Sequence, residues 1–273
     1  MSNIARYTNG HLFDIYGGRT ALTTEIGRVL GGMSDKDFEN FDRFAGRVQE
    51  LGRHAFEKNC HLYVDAEQSF IQAAIESFGQ QMTHYLNRGE KVIIMNGYQC
   101  YLKRMTNVIP MEVRASQEAN FNLGVKLIRG AYMNEERQLA EEQGHESPVW
   151  DNIEGTHACY NGSMTHILEQ MTDSDLLFVA SHNQETCDLA MDLIEDRNLH
   201  ERVRFGQLKG FSDQVTSEIG RRGFQVFKYL PFGPTEQVMP YLVRRGQESK
   251  QVVREQQFQN KYLTSEILNR FRF

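Results

Sequence analysis

The chain has 273 residues, 40% of them hydrophobic and 11% aromatic, so it can bury a large core as one large domain or two small ones. Its 30 basic and 36 acidic side chains leave a net charge of −6, and no basic stripe interleaved with aromatics is present, which argues against a nucleic-acid partner. An anionic substrate would need a local positive site.

The first stretch, "MSNIARYTNGHLFD", has neither the apolar h-region of a signal peptide nor the Arg-rich, acid-poor character of a transit peptide. No uninterrupted apolar run approaches the length of a membrane-spanning helix. The expectation is a cytosolic protein, or one whose targeting segment is not in this sequence. Cys60, Cys100, Cys159 and Cys187 lie far apart without a CxxC, which reads as free thiols rather than a zinc ribbon or a disulfide scaffold.

Residues 1–33 read as loop and short helix, and the main domain is expected over residues 34–273. Behind Ser34 as a cap, Phe38, Phe41, Phe44, Val48, Leu51 and Ala55 recur at helical spacing, which predicts an amphipathic helix. Short apolar runs then alternate with helix-length segments: "HLYVDAE", "KVIIMNGY", "GVKLIRG", "LLFVASHN", "RVRFGQL" and "QVFKYLP". The first intervening helix, "QSFIQAAIESFGQQMTHYL", offers Phe70, Ile71, Ala74, Ile75, Phe78 and Met82 as its apolar stripe. Repeated strand-then-helix units imply a parallel sheet, doubly wound or closed into a barrel.

The unusual polar residues decide between these. They gather at the carboxyl ends of all six strands: Asp65 and Glu67, Gln99, Arg129, His182 and Asn183, Gln207 and Lys209, and Tyr229. A (β/α)8 TIM-like barrel builds its site from several strand ends, whereas an open sheet uses mainly one switch point. No glycine-rich dinucleotide fingerprint follows any strand. The expected fold class is therefore α/β, an incomplete barrel with about six strands visible.

Alternation puts Tyr63, Asp65 and Glu67 on one face of their strand, with Leu62, Val64 and Ala66 on the other. The carboxylates then face the barrel axis, or alternatively sit in water or cap the next helix. Lys126 stands mid-strand, opposite to Leu127, where an ammonium must meet water, a carboxylate or a ligand. Taken alone it is also compatible with a Schiff-base aldolase. Arg129 is either a site residue or a helix-facing partner. His182, with Ser181 and Asn183, can hydrogen-bond a phosphate or the polar edge of a ring. The histidines form no HExxH or similar ligand spacing, so no metal is expected. In "VMPYLVRRGQES", Glu248 lies four residues after Arg244 and three after Arg245, so one carboxylate can brace two guanidiniums, and such a pair can grip a carboxylate.

The segments "VDAEQ", "YQCYLK", "KLIRGAYMNEER", "ASHN", "FGQLKG", "KYLPFGP" and "PYLVRRGQES" occur in an order that resembles the proline dehydrogenases, the eukaryotic branch most closely, over about residues 34 to 250. The resemblance implies a distorted (β/α)8 barrel that carries FAD and oxidises L-proline to Δ1-pyrroline-5-carboxylate by hydride transfer to flavin N5. It further implies ubiquinone as electron acceptor, and a mitochondrial location on the matrix side of the inner membrane with peripheral association. In site terms, Arg244 and Arg245 would grip the proline carboxylate, Glu248 would orient them, Tyr229 would pack on the ring and Leu208 would line the pocket. Asp65 would organise charged groups, and Lys126 would tune the flavin. Gln99, Lys126, Ile128, Gly130, Ala131, Tyr132, Ser181, His182, Asn183, Gln207, Arg245 and Glu248 would contact the cofactor. Tyr229 favours proline over hydroxyproline, whose sister enzyme generally lacks a tyrosine there.

Six strand units are two short of a closed barrel, and the family's other two would precede residue 34. In the family the second of these bears an active-site lysine that pairs with the counterpart of Asp65. The only lysines before Asp65 here are Lys36 and Lys58, in or beside the first helix. The expectations are therefore a proline dehydrogenase, or a catalytically impaired relative that binds flavin or a partner.

Overall fold

The computed structural model describes residues 34–248 together with Thr264, Ile267 and Leu268. The expected N-terminal loop over residues 1–33 lies outside them, as do the side chains of Phe38, Phe41, Arg244 and Glu248. The chain divides into two compact units, with the boundary between Cys60 and His61.

The first unit contains helix α1 (Asp35–Lys58). Ser34 caps it as expected, in a reciprocal capping box with Asp37, and Asn59 ends it in the left-handed conformation.

The second unit runs β1 (Leu62–Val64), α2 (Ser69–Leu86), β2 (Ile94–Gln99), α3 (Met105–Ala119), β3 (Gly124–Ile128), α4 (Met133–Gln143), α5 (Ile153–Gln170), β4 (Leu176–Ala180), α6 (Gln184–Arg197), β5 (Val203–Leu208), α7 (Asp213–Arg221), β6 (Gln225–Tyr229) and α8 (Thr235–Glu248). All six expected strands form, in one sheet of order β1-β2-β3-β4-β5-β6, every pair parallel. Sequential order is that of a barrel; a doubly wound sheet reverses at a switch point.

The sheet is curled. Tyr63 on β1 and Phe178 on β4 are three strands apart, about 14 Å in a flat sheet at the usual strand spacing, yet their ring centroids lie 5.1 Å from each other. Phe178 and Phe227 on β6 approach to 6.2 Å on the same inner face. Gly206 on β5 makes room for this crowding, since a Cβ there would lie 2.0 Å from the Phe178 ring. Six parallel strands thus form a half-barrel of the TIM-like α/β class, whose edge strands β1 and β6 each have one partner among the described residues.

Alternation sorts the two faces. Val125, Leu127, Leu177, Val179, Val203 and Phe205 point outward into the main apolar cluster, with Ile109, Tyr160, Met164, Met191 and Ile219 from the surrounding helices. Inside the curl, Val92, Met95 and Leu176 form a smaller cluster with Phe178. Polar ties fix the strands where they begin. The buried Asn87 amide accepts from Ile93 N and Ile94 N, and Asp175 accepts from Leu123 N at 2.6 Å.

Helix α2 departs from its apolar pattern. Phe70 and Ile71 are exposed, while Gln72, Gly79, Gln81, Met82 and Thr83 are buried. Its inner face is polar because what it meets is polar. Asn96 of β2 donates to Thr83, Gln80 donates to Glu112 of α3, and Arg104 pairs with Glu76. Among the described residues no helix is long and apolar enough to cross a membrane.

Candidate active site

Strand ends place the polar residues. Lys126 lies on the inner face of β3, and its Nζ donates to Asp65 Oδ1 at 2.5 Å. The lysine thus meets a carboxylate, and it stands 5.9 Å from the Tyr63 ring centroid. Asp65 is well exposed, so the pair adds little to stability, on the order of 1 kcal/mol or less; its consequence is a fixed charge inside the curl.

Gln99, buried at the end of β2, donates through Nε2 to the Glu67 carbonyl at 2.7 Å. That bond fixes which end of the amide is which, and leaves Oε1 buried without a partner among the described residues. His182, just beyond β4, accepts from Leu208 N through Nε2 at 3.3 Å. The proton must then sit on Nδ1, which is buried and has no acceptor among the described residues. Burial, together with Lys228 and Arg129, lowers His182 to about 4, so the ring is neutral near pH 7. The strand ends therefore present one orphan acceptor and one orphan donor.

Leu208 and Tyr229 are register partners at the ends of β5 and β6. The Tyr229 ring lies 5.7 Å from that of Tyr241 on α8, and the Arg245 guanidinium lies 5.2 Å from the Tyr241 ring. Tyr241 of α8 thus lies between Tyr229 at the end of β6 and Arg245 on its own helix. Tyr241 was not singled out from the sequence, although its i, i+4 spacing to Arg245 carried the signal. The bracing of the arginine pair by Glu248 lies outside the described side chains.

Ile128 is on the inner face with Lys126, and its carbonyl accepts from Cys100 N at 2.9 Å. Gly130 follows at φ 128°, with the Tyr101 ring where a Cβ would stand. Ala131 is exposed, and the Tyr132 hydroxyl donates to Glu67 Oε2. Ser181 accepts from Arg129 Nη1 at 2.7 Å, and Asn183 caps α6 by accepting from Thr186 N. Arg129 is the helix-facing partner, held by His157, Ser181 and Thr186 and stacked 4.5 Å from the Tyr160 ring centroid. Burial lowers its pKa.

Gln207 is not brought to the inner face. It is buried on the helix side of β5, donating to the Ser181 carbonyl and accepting from Thr216 and Lys228.

The orphan pair suits a flavin ring, whose polar edge sets an N–H donor between carbonyl acceptors. The residues present fit that group.

The family model described as proline dehydrogenase matches residues 6–257. The human mitochondrial proline dehydrogenase 1 is 35% identical over 257 residues, covering 92% of this chain and 43% of its own length. The hydroxyproline dehydrogenase of Xenopus laevis is 33% identical over 213 residues, covering 76% of this chain and 46% of its own. The chain thus spans less than half the length of these relatives. Proline utilization A (PutA) of Bdellovibrio bacteriovorus, in a crystal structure inactivated by N-propargylglycine, superposes with TM-score 0.69 and 24% identity over 75% of this chain and 21% of that one, which bears on the fold. With inner-face charge, strand-end polarity and a match over most of its residues in agreement, the chain belongs to the proline dehydrogenase family.

Proposed function

We propose that this chain holds FAD at the carboxyl ends of its strands and oxidises L-proline to Δ1-pyrroline-5-carboxylate, passing electrons to a quinone in the mitochondrion. The observation that carries the reading is the orphan acceptor of Gln99 and orphan donor of His182, at the same end of the sheet as the Lys126–Asp65 pair. Membership of the family and the mitochondrial relatives support the substrate and the compartment.

FAD, when bound, supplies the hydride acceptor. Gln99 and His182 would hold its polar edge, and the backbone of Ile128, Gly130, Ala131 and Tyr132 would contribute to its binding. Ser181 and Asn183 offer hydroxyl and amide groups to the phosphates. Gln207 supports that end from behind by holding the Ser181 carbonyl. Lys126, whose direction Asp65 fixes, would tune the ring electrostatically. Arg244 and Arg245 grip the proline carboxylate, Glu248 orients them, and Leu208 and Tyr229 enclose the ring. With two groups held in place, the chain contributes orientation and charge to chemistry that belongs to the cofactor.

Two partly paired edge strands favour a second reading, in which the half-barrel holds flavin without oxidising proline. The visible spectrum of the purified chain, recorded before and after anaerobic L-proline, separates them. Flavin bands that bleach support the first reading, bands that persist support the second, and folded protein without bands overturns both.

A further inference from the structure

Helix α2 begins without a cap of its own: Gln68 makes no side-chain bond to its first turn, and that turn holds no acidic residue. The missing acceptor comes from Glu136 in the first turn of α4. Its Oε1 accepts from Ser69 N at 2.6 Å and its Oε2 from Ser69 Oγ at 2.5 Å. Glu136 is 3% exposed, and among the described residues no lysine, arginine or histidine forms an ion pair with it. The positive end of α2 is what meets its charge.

One turn earlier, Tyr132 donates to the Glu67 side chain. Glu67 is also tied through its backbone, its carbonyl to Gln99 and its N–H to Gln72 Oε1 at 2.8 Å. The stretch that begins at Asp65 is therefore fixed at residue 67 by Tyr132, the N-cap of α4, and at residue 69 by Glu136, across 65 and 67 positions of sequence. Among the described residues the Asp65 side chain is bonded to Lys126.

We propose that Glu136 is a positioning residue: its buried carboxylate clamps the start of α2 and so aims Asp65 at Lys126. The inference rests on the reading of Lys126 and Asp65 given above, and a carboxylate is required rather than an amide. Glutamine at 136 would offer one acceptor to two donors and would set its own N–H2 against one of them.

Two measurements test it. In the first, amide hydrogen exchange is compared between the unaltered chain and Glu136→Gln, with no proline added. At least about tenfold faster exchange is expected at residues 65–69, with β4 and β5 unchanged. Unchanged exchange at 65–69 overturns the clamp. This result stands whether or not the chain oxidises proline. The second is a cycle of Asp65→Asn, Glu136→Gln and the double variant, read as the L-proline concentration giving half-maximal flavin bleaching. About a tenfold rise is expected for Glu136→Gln alone and less than about twofold on the Asp65→Asn background. Equal rises on both backgrounds mean that Glu136 acts on the fold at large, and they overturn the positioning role. Should Glu136→Gln fold poorly, Ser69→Ala, which removes one of the two bonds, is expected to shift both readouts in the same direction by a smaller factor.

Discussion

Leu127 and Lys126 are neighbours in the chain and opposite in fate. Leu127 is fully buried in the outer apolar cluster, whereas Lys126 stands inside the curl against Asp65. The division recurs along β3, β4 and β5, where Val125, Leu177, Val179, Val203 and Phe205 join the outer cluster, while Phe178 packs inside the curl. The outward face buries most of the apolar side chains, and the inward one tolerates exposed aromatics and an exposed carboxylate. Stability and function are separable in this sheet because alternation assigns them to different side chains.

The sharpest way to break that division is to change each neighbour in turn. Leu127→Ala should cost about 3 kcal/mol of folding stability through lost burial and a residual cavity, measured by denaturant titration. Lys126→Met should change stability by less than about 1 kcal/mol, since its partner is exposed, while abolishing proline-dependent bleaching. Equal losses of stability in the two variants would erase the distinction.

Next in size is the far end of the inner face. Arg245→Met should weaken proline binding by at least about 2 kcal/mol with the fold intact, as expected when a desolvated carboxylate loses its partner. Unchanged affinity would remove Arg245 from the site.

A third comparison uses acid. Glu112, half-buried between α2 and α3, is raised to about 7, chiefly by desolvation. Its native form binds a proton that the unfolded chain releases, so between about pH 4.5 and 7 it makes stability fall as pH rises. His182, lowered to about 4, does the reverse: the unfolded chain binds the proton, so stability rises with pH up to about 6.5 and is lost as pH falls toward 4. Each slope is at most about 1.4 kcal/mol per pH unit, and where the windows overlap they oppose. Glu112→Gln should therefore expose a rising profile and His182→Asn a falling one, read as unfolding midpoints from pH 4.5 to 6.5. Identical profiles in both variants would mean that neither group is held as its surroundings indicate.

The smallest effect concerns Tyr229. Replacing it with serine opens space for a hydroxyl, and should raise turnover of hydroxyproline relative to proline by up to about tenfold, the usual worth of one small group in a pocket. No change in the ratio would place the selection elsewhere.

Much of this was legible beforehand. All six strands were readable because each is a short apolar run ended by polar residues. Helix α2 was misread at one point: Phe70 and Ile71 recur at helical spacing, yet the buried stripe is Gln72, Gly79, Met82 and Thr83. Periodicity reports which residues share a face, and cannot tell what that face will meet. The resemblance implies a cofactor contact for Gln207, while the pleat turns its side chain to the helix side of β5. Glu136 left no local signal, because its partner Ser69 is distant in sequence.

The sequence by itself determined the strand-then-helix repeat, the face on which Lys126 stands and the family, because those depend on alternation and on short ordered motifs. Only the tertiary structure decided that Lys126 meets Asp65, that Gln99 and His182 keep one orphan atom each, and that α2 is capped from α4. Those are contacts between distant residues, and the curl of the sheet sets their distances.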